Sequence, residues 1–154
     1  MANTVEPSLS SDLLRLLRRE TFVSVATVRE ETGTPDVHAI SWVYAKDAHT
    51  IFFSADSRSR IVRNLKVNDG VVISFIANGS TYAIRGRAAV EKEEMPNIPI
   101  KLALVKCVIE EVRDVMFYGA KMVSAPAFEK IYDLEAARKL DTQVMDELKR
   151  ASSG

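Results

Sequence analysis

Residues 51–65 read Ile51-Phe52-Phe53-Ser54-Ala55-Asp56-Ser57-Arg58-Ser59-Arg60-Ile61-Val62-Arg63-Asn64-Leu65. The apolar start of this stretch predicts a β-strand, and the serines and arginines after it predict a turn. A short helix should begin near Ser59, because Ile61, Val62 and Leu65 are spaced as one buried helical face. Asp56 or Ser57 is expected to cap that helix. The sequence thus predicts a strand, a polar turn and an inserted helix in direct succession.

The polar turn also has the groups that bind a phosphate. Ser57 and Ser59 supply small hydroxyl donors, Arg58 and Arg60 supply fixed positive charge, and the helix start supplies backbone N–H groups. The alternative is a capped surface helix with solvated arginines, because clusters of serine and arginine are common. The sequence leaves both interpretations open at this point.

Composition narrows the possible partners. The 154 residues are 47% hydrophobic, and 21 basic residues balance 21 acidic ones. A neutral globular chain has no overall field that attracts nucleic acid or an anionic membrane. Cys107 is the single cysteine, which suits a reducing cytoplasm, and the two histidines form no zinc-type spacing. We therefore expect one cytoplasmic domain over residues 1–154, with a core at about 9–118 and no metal site.

Outward from the opening stretch, the pattern predicts six strands joined mainly by short turns. They are expected at 21–28, 37–44, 50–54, 71–77, 81–90 and 101–112, the last either ending at 112 or continuing to 118. Asn78-Gly79 predicts a tight hairpin turn. A leucine stripe from Leu9 to Leu17 predicts an N-terminal helix, and a C-terminal helical segment is expected at about 126–150. Its first apolar face would be formed by Phe128, Ile131 and Tyr132. A second apolar stripe would follow, formed by Ala136, Leu140, Val144 and Leu148.

These elements do not alternate as strand and helix. The order predicts the α+β class, with an antiparallel barrel or closed sheet and peripheral helices. Residues 51–53 and 71–73 are apolar on both faces of their strands, so a helix or a second subunit must cover them. We therefore expect a dimer.

The motifs and their order along the chain resemble those of the pyridoxamine 5′-phosphate oxidase-like flavoproteins. These are the FMN-binding split barrels that include small general stress proteins. The resemblance spans about residues 9–112 and implies a six-stranded split β-barrel. It rests on Phe22-Val23-Ser24-Val25-Ala26-Thr27, on the strand from Pro35 to Tyr44, on Ile51-Phe52-Phe53-Ser54, on Ser59-Arg60-Ile61-Val62-Arg63-Asn64-Leu65, on Asn68-Asp69-Gly70-Val71, and on Ile84-Arg85-Gly86-Arg87-Ala88.

The resemblance implies a set of cofactor contacts. Ser59 and Arg60 match the pair that holds the FMN phosphate, and Ser57 and Arg58 are close enough to share or replace that role. Ile61 stands where the family often has Lys, so one cation is missing. The remaining contacts implied for the isoalloxazine are Ile40, Ser41, Trp42, Phe53 and Ser54, with Thr81 reaching the flavin of the other subunit.

The C-terminal part departs from the family. The oxidases that act on pyridoxine phosphate carry a Trp and an Arg-Leu-Pro segment near their end, whereas Trp42 is the single Trp here. The resemblance therefore implies a homodimeric FMN-binding oxidoreductase of unassigned substrate, with the flavin at the subunit interface. The alternatives are a non-catalytic binder of flavin, haem or deazaflavin, and a dimeric interaction protein whose ligand site has been lost. Trp42 could stack near the flavin or simply fill the barrel wall or the dimer seam. Cys107 is expected to be a buried apolar residue rather than a nucleophile.

Overall fold

The fold is built on a single antiparallel sheet, whose strands differ in length, and on three helices that flank it. The computed structural model describes residues 4–153. The strands are β1 (Val5–Glu6), β2 (Val23–Val28), β3 (Pro35–Ile40), β4 (Val43–Asp47), β5 (Thr50–Asp56), β6 (Gly70–Ala77), β7 (Ser80–Lys92) and β8 (Leu102–Asp114). The helices are α1 (Ser11–Leu16), α2 (Arg60–Val67) and α3 (Leu134–Ser153). This architecture confirms the predicted α+β class with mainly antiparallel strands.

The sheet has the order β3-β2-β6-β7-β8-β5-β4, and β1 pairs with the far end of β8. Its two outermost strands, β3 and β4, are consecutive in the chain, with only Ser41 and Trp42 between them. The sheet must therefore curl until its two ends meet at these residues, which we call the β3–β4 junction. The strand predicted at 37–44 is divided at this point, and β1 was not predicted.

The interior of the curled sheet is closely packed. Val25 of β2, Phe53 of β5, Ile73 of β6 and Ile84 of β7 are fully or almost fully buried there. Helix α2 adds its predicted apolar face, as Ile61, Val62 and Leu65 are all buried. The inserted helix thus closes one end of the core, and Ile61 points into it.

Helix α3 packs on the outer face of β4, β5 and β8. Its Val144 and Leu148 are fully buried against Phe52 and Leu104. This contact explains why residues 51–53 are apolar on both faces, because a helix of the same chain covers them. Within the predicted stripe, Ala136 is exposed and Ala137 is buried instead.

Two of the glycines have clear conformational reasons. Asn78 and Gly79 connect β6 to β7 with φ angles of 52° and 76°, which a tight hairpin turn requires. Gly86 lies where β7 approaches β8, and a Cβ at this position would come within 2.4 Å of the Val108 carbonyl oxygen. The Gly in the Ile84–Ala88 motif is therefore needed for the close approach of these two strands.

The two outermost strands differ in their surroundings. Along β4, the Ala45 N–H donates to the Leu17 carbonyl at 2.8 Å, and Arg18 donates to the carbonyls of Ala45 and Lys46. Within residues 4–153, no comparable backbone cover is found along the outer edge of β3. The end of α1 thus protects one edge of the sheet and not the other.

The C-terminal region differs from its prediction. The strand β8 ends at Asp114 rather than reaching 118, and the helix expected from Pro126 begins only at Leu134. Phe128, Ile131 and Tyr132 precede it in irregular structure with their side chains exposed. Within the described part of the chain, no helix has both the length and the apolar character needed to cross a bilayer.

Candidate functional site

The turn between β5 and α2 is organised by two polar side chains. The Asp56 carboxylate accepts a hydrogen bond from the Arg58 N–H at 2.8 Å, and the Asp56 carbonyl accepts one from the Ser59 N–H at 2.9 Å. Ser59 then caps α2, because its hydroxyl oxygen accepts from the Val62 N–H at 3.4 Å. The expected cap at Asp56 or Ser57 is therefore wrong, since Asp56 shapes the turn and Ser59 lies one residue before the helix.

The arginines of this turn differ in how far they are neutralised. The Arg58 side chain is 83% exposed, and its nearest carboxylate oxygen, on Asp56, is 3.8 Å from Nε. Arg60 is 35% exposed, with its Nε 3.6 Å from Asp36. Ser57 already donates its hydroxyl proton to the Glu93 carbonyl at 2.5 Å. Arg58 is thus the most available cation, and Ser57 retains only its acceptor capacity.

Helix α2 is fixed to the sheet by a buried amide. Asn64 is fully buried, and its Nδ2 donates to Thr27 Oγ1 at 2.9 Å and to Asp36 Oδ2 at 3.2 Å. Its Oδ1 accepts from the Glu30 N–H at 3.2 Å. This one side chain ties the helix to β2, β3 and the turn between them, so it sets where the start of α2 lies.

The β3–β4 junction is surrounded by a network of charged groups. The Ser41 hydroxyl donates to Glu20 at 2.5 Å, and the Trp42 indole N–H donates to Asp141 at 2.9 Å. Lys130 joins the two carboxylates, with its Nζ 2.8 Å from Glu20 and 2.7 Å from Asp141. Its ammonium also lies 5.6 Å from the centre of the Trp42 ring, within cation–π range. At this point the polar side chains are already partnered within the chain.

The electrostatics of Lys130 follow from these contacts. Burial acts to lower the pKa of Lys130, but the hydrogen bonds and charges of Asp141 and Glu20 outweigh it and raise the pKa above its ordinary value. Lys130 therefore stays protonated at neutral pH and holds the two carboxylates together. We call Glu20, Ser41, Trp42, Lys130 and Asp141 the Lys130 network.

The remaining predicted residues occupy separate positions. Ile40 ends β3 half-buried, and the Phe53 side chain lies inside the core. Ser54 is 1% exposed, its N–H donates to the Trp42 carbonyl at 3.0 Å, and its hydroxyl has no hydrogen-bond partner. Thr81 contacts Met116, with Oγ1 3.7 Å from Sδ, and lines a small cleft with Phe22 and Pro126.

The structure therefore brings together two groups of predicted residues, one in the turn before α2 and one at the β3–β4 junction. Thr81 belongs to neither group. Ser57, Arg58, Ser59 and Arg60 lie in one turn, and Ser54 lies beside the junction through its bond to Trp42. Nothing in the contacts of Thr81 within the chain links it to either cluster. Its predicted role in the other subunit stays a prediction.

Sequence reasoning missed Glu20, Lys130, Asp141 and Asn64. The first three act through contacts that span 11 to 110 positions of the chain, which no local pattern reveals. Asn64 carried a readable signal, because it lies on the buried face of α2 beside Ile61 and Leu65. A polar side chain on that face had to find partners in the sheet.

Cys107 is unsuited to nucleophilic chemistry. It lies buried in β8, and burial together with the charge of Glu110 raises the pKa of its thiol to about 12. The thiolate is the reactive form of cysteine. The prediction of a buried apolar residue agrees with this environment.

Residues at the start of α2 fit the phosphate end of FMN better than the junction fits its ring. An exposed arginine and a capped helix start provide donors for an anionic ester. Ile61 stands where the family often has Lys, and its side chain is buried in the core. This position therefore supplies no positive charge to a phosphate. At the junction, Lys130 already covers the Trp42 ring. A flavin ring there would have to lie beside the Lys130 network or displace it.

Comparison with known proteins gives a consistent result. The sequence profile of the pyridoxamine 5′-phosphate oxidase family matches residues 9–114. Group A Streptococcus HupZ has a similar structure, with 17% sequence identity and a TM-score of 0.59 over 73% of this chain and 98% of that protein. A proposed pyridoxamine 5′-phosphate oxidase from Lactobacillus delbrueckii has 18% identity and a TM-score of 0.60, again over 73% and 98%. General stress protein 26 of Bacillus anthracis has 13% identity and a TM-score of 0.51 over 66% and 94%.

At these identities the solved structures show a shared fold. The match of the sequence profile covers β2 to β8 and both clusters described above except for Lys130 and Asp141. No curated protein matched the sequence. The segment after residue 114, which includes α3, lies outside the profile match.

Proposed function

The chain belongs to the pyridoxamine 5′-phosphate oxidase family, and on that basis we propose that it is a homodimeric FMN-binding flavoprotein that acts as an oxidoreductase. The observation that carries the proposal is the turn before α2, where Arg58 remains largely without a partner beside a capped helix start. Such a turn suits a doubly charged phosphate ester. The physiological substrate stays unassigned, and a cytoplasmic location stays a prediction.

In this proposal the residues of the turn hold the phosphate. Arg58 and Arg60 supply charge-assisted hydrogen bonds, and the first N–H groups of α2 supply further donors. Ser59 keeps the helix start in place by capping it, and Ser57 can donate to the phosphate only if its hydroxyl proton leaves the Glu93 carbonyl. The backbone of residues 40–42 and the Ser54 hydroxyl would lie along the ring.

A bound flavin supplies the redox chemistry by accepting and donating electrons. The chain's task is then to position the ring and to keep water from one of its faces. Trp42, Ser54 and the Lys130 network suit that task, because they form a largely buried wall next to the junction. No residue is assigned a role as general acid or base.

Support for a dimer comes from the outer face of β2, β3 and β6. Val37 is 61% exposed on β3, and Val72 and Ile76 are half-buried on the same side of β6. No helix covers this face within residues 4–153, whereas α3 covers the outer face of β5. Light scattering coupled to size exclusion should give twice the chain mass of 17.1 kDa. A monomer at micromolar concentration would contradict this part of the proposal.

The absorbance spectrum of the purified protein tests the cofactor. We expect bands near ~370 and ~450 nm and release of FMN on denaturation, as for a protein-bound flavin. Bleaching by NADH or NADPH in the absence of oxygen, and recovery in air, would support the oxidoreductase role. A Soret band would instead indicate haem. A colourless protein that does not respond to added FMN would contradict the proposal.

The phosphate role is tested by comparing FMN with riboflavin, which lacks the phosphate. Arg58→Ala and Arg60→Ala should each weaken FMN by roughly tenfold to a hundredfold, because a charge-assisted contact contributes about 1.5–3 kcal/mol. Riboflavin affinity should change little. Arg138→Ala, an exposed arginine on α3, is the matched control. Equal weakening of FMN and riboflavin would remove the phosphate role from this turn.

A further inference from the structure

A second cleft lies away from the turn before α2, between the end of α3 and the outer face of the sheet. It has a volume of about 510 Å³, within the range typical of small-molecule sites. Its floor is apolar and is formed by Phe52, Met95 and Leu104, all of which are buried. The floor therefore offers an apolar surface to a ligand that reaches it.

The walls of this cleft are held in place by defined contacts. The Met95 N–H donates to the Leu102 carbonyl at 2.8 Å, which pins the loop between β7 and β8 to the sheet. Asn97 donates from Nδ2 to Glu147 on α3 at 3.1 Å, and Arg150 also donates to Glu147. The loop and the helix are thus joined to each other across one side of the cleft.

The rim of the cleft carries charge that the chain does not neutralise. Lys46, Lys92 and Lys106 line it, and none of the three has a carboxylate within ion-pair distance among residues 4–153. Glu147 is occupied by Asn97 and Arg150, which leaves Glu91 as the other acidic lining residue. Lys106 lies directly opposite Phe52 in the register of β5 and β8, so an ammonium group borders the apolar floor.

We infer that this cleft binds an amphipathic monoanion, namely an aryl or alkyl carboxylate or sulfonate. The apolar part of the ligand lies on Phe52, Met95 and Leu104, and the acid group lies at Lys46 and Lys106. The inference combines an apolar floor, walls fixed by hydrogen bonds and an excess of unpaired ammonium groups at the rim. It does not depend on the flavin proposal, because none of these residues belongs to the turn before α2 or to the Lys130 network.

The probe for the test is 1-anilinonaphthalene-8-sulfonate, whose fluorescence rises on transfer to an apolar site. The uncharged N-phenyl-1-naphthylamine is the matched neutral probe. We expect saturable binding of the sulfonate, displacement by dodecanoate, and weaker binding as the salt concentration rises, because the contacts are with exposed charges. Saturating FMN should not displace the sulfonate.

Substitutions locate the site. The double variant Lys46→Gln/Lys106→Gln should weaken the sulfonate by about tenfold, as two partly exposed charge contacts are removed. Its affinity for the neutral probe should stay within twofold. Lys101→Gln/Lys121→Gln removes two exposed lysines that do not line the cleft and should leave both affinities unchanged.

Met95→Gln provides a second measurement, because it changes the floor and leaves the charges in place. It should weaken both probes. The inference is overturned if the sulfonate does not bind, if the two double variants behave alike, or if FMN displaces the sulfonate. Near-ultraviolet circular dichroism of each variant should match that of the parent protein, which separates loss of the site from loss of packing.

Discussion

The turn before α2 and the β3–β4 junction are both predicted to contact the same cofactor, yet they are built in opposite ways. In the turn, Arg58 is 83% exposed and its nearest carboxylate oxygen is 3.8 Å away. At the junction, Lys130 is 22% exposed and lies within 2.8 Å of two carboxylates. One region keeps its charge available for a ligand, and the other uses its charge to hold the chain together. A phosphate at the turn would therefore meet a cation that is still available, whereas a flavin ring at Trp42 would have to share its space with Lys130.

The two regions also differ in the distance along the chain over which their contacts act. Within the turn, the contacts among Asp56, Arg58, Ser59 and Val62 each span at most three positions, and Ser57 and Arg60 add longer ones to Glu93 and Asp36. Trp42 meets Asp141 across 99 positions, and Glu20 meets Lys130 across 110. Local contacts survive fluctuations of the rest of the fold, while long-range ones depend on the placement of α3. The comparison therefore predicts that the junction loosens more easily than the turn.

The largest expected effect comes from disconnecting the turn from the sheet. Asn64→Ala should lower the free energy of unfolding by about 3 kcal/mol, because it empties a fully buried position and leaves the buried Thr27 hydroxyl and the partly buried groups of Asp36 and Glu30 without their hydrogen bonds. Urea unfolding followed by circular dichroism measures this change. Arg19→Ala, at an exposed position, should stay within about 0.5 kcal/mol of the parent protein. A small loss for Asn64→Ala would show that α2 is placed by its apolar face alone.

A smaller effect is expected from opening the junction. Lys130→Met should cost about 1 kcal/mol of stability, because a partly exposed ion pair contributes little and Glu20 and Asp141 can turn toward water. Acrylamide should quench Trp42 more strongly in this variant, since the side chain that covers its ring is shortened and uncharged. Trp42 is the single Trp, so the signal has one source. Unchanged quenching would mean that Lys130 does not shield the ring.

The pH dependence of stability sharpens the same contrast. The pKa of Lys130 is raised in the folded state, so its contribution is fully present below the ordinary lysine pKa of 10.5 and is lost as pH rises through the folded value. We expect the parent protein to lose stability between pH 10 and pH 12 more steeply than Lys130→Met. Parallel pH profiles for the two proteins would contradict the protonation role of Lys130.

The smallest change is expected at Cys107, whose thiol should hardly react in the native protein. Cys107 therefore reports on the packing of the core inside the curled sheet. With a thiol pKa raised to about 12 by burial, Cys107 should react with Ellman's reagent at pH 8 only when the protein is unfolded. The rate in the native protein should be at least about a hundredfold below that in urea, as expected for a thiol reached through rare opening. Rapid reaction without denaturant would show that β8 opens locally.

Features fixed by local chemistry could be predicted from the sequence. The Asn78-Gly79 turn, the helix beginning after Ser59 and the buried face of Ile61, Val62 and Leu65 are confirmed. Six strand regions could also be predicted, five of them as single strands, because their strand-forming residues are bounded by turn residues. The sequence family was recognisable from the same local motifs.

Features that depend on contacts between distant parts of the chain could not be predicted from the sequence. The helix expected from Pro126 is absent up to Leu134, because this segment is held by Lys130 at Glu20 and by Phe128, whose ring is 6.5 Å from that of Phe22. The strand expected at 37–44 is divided because Ser41 and Trp42 turn the chain from one end of the sheet to the other. The cap was misassigned by two or three residues, since Asp56 forms the turn that precedes Ser59.

The unequal cover of the two sheet edges limits how this protein can associate when it is stressed. An exposed edge strand recruits strands from other molecules, and an ordered fibre needs two such edges on each molecule. Leu17 and Arg18 occupy the edge of β4, so β3 is left as the one strand to which another copy can add its backbone. Pairing of β3 with β3 then uses up the free edge of both molecules, and growth stops at two. Removing the Arg18 side chain would free the carbonyls of Ala45 and Lys46, but the backbone bond from Ala45 to Leu17 would still cover part of the β4 edge.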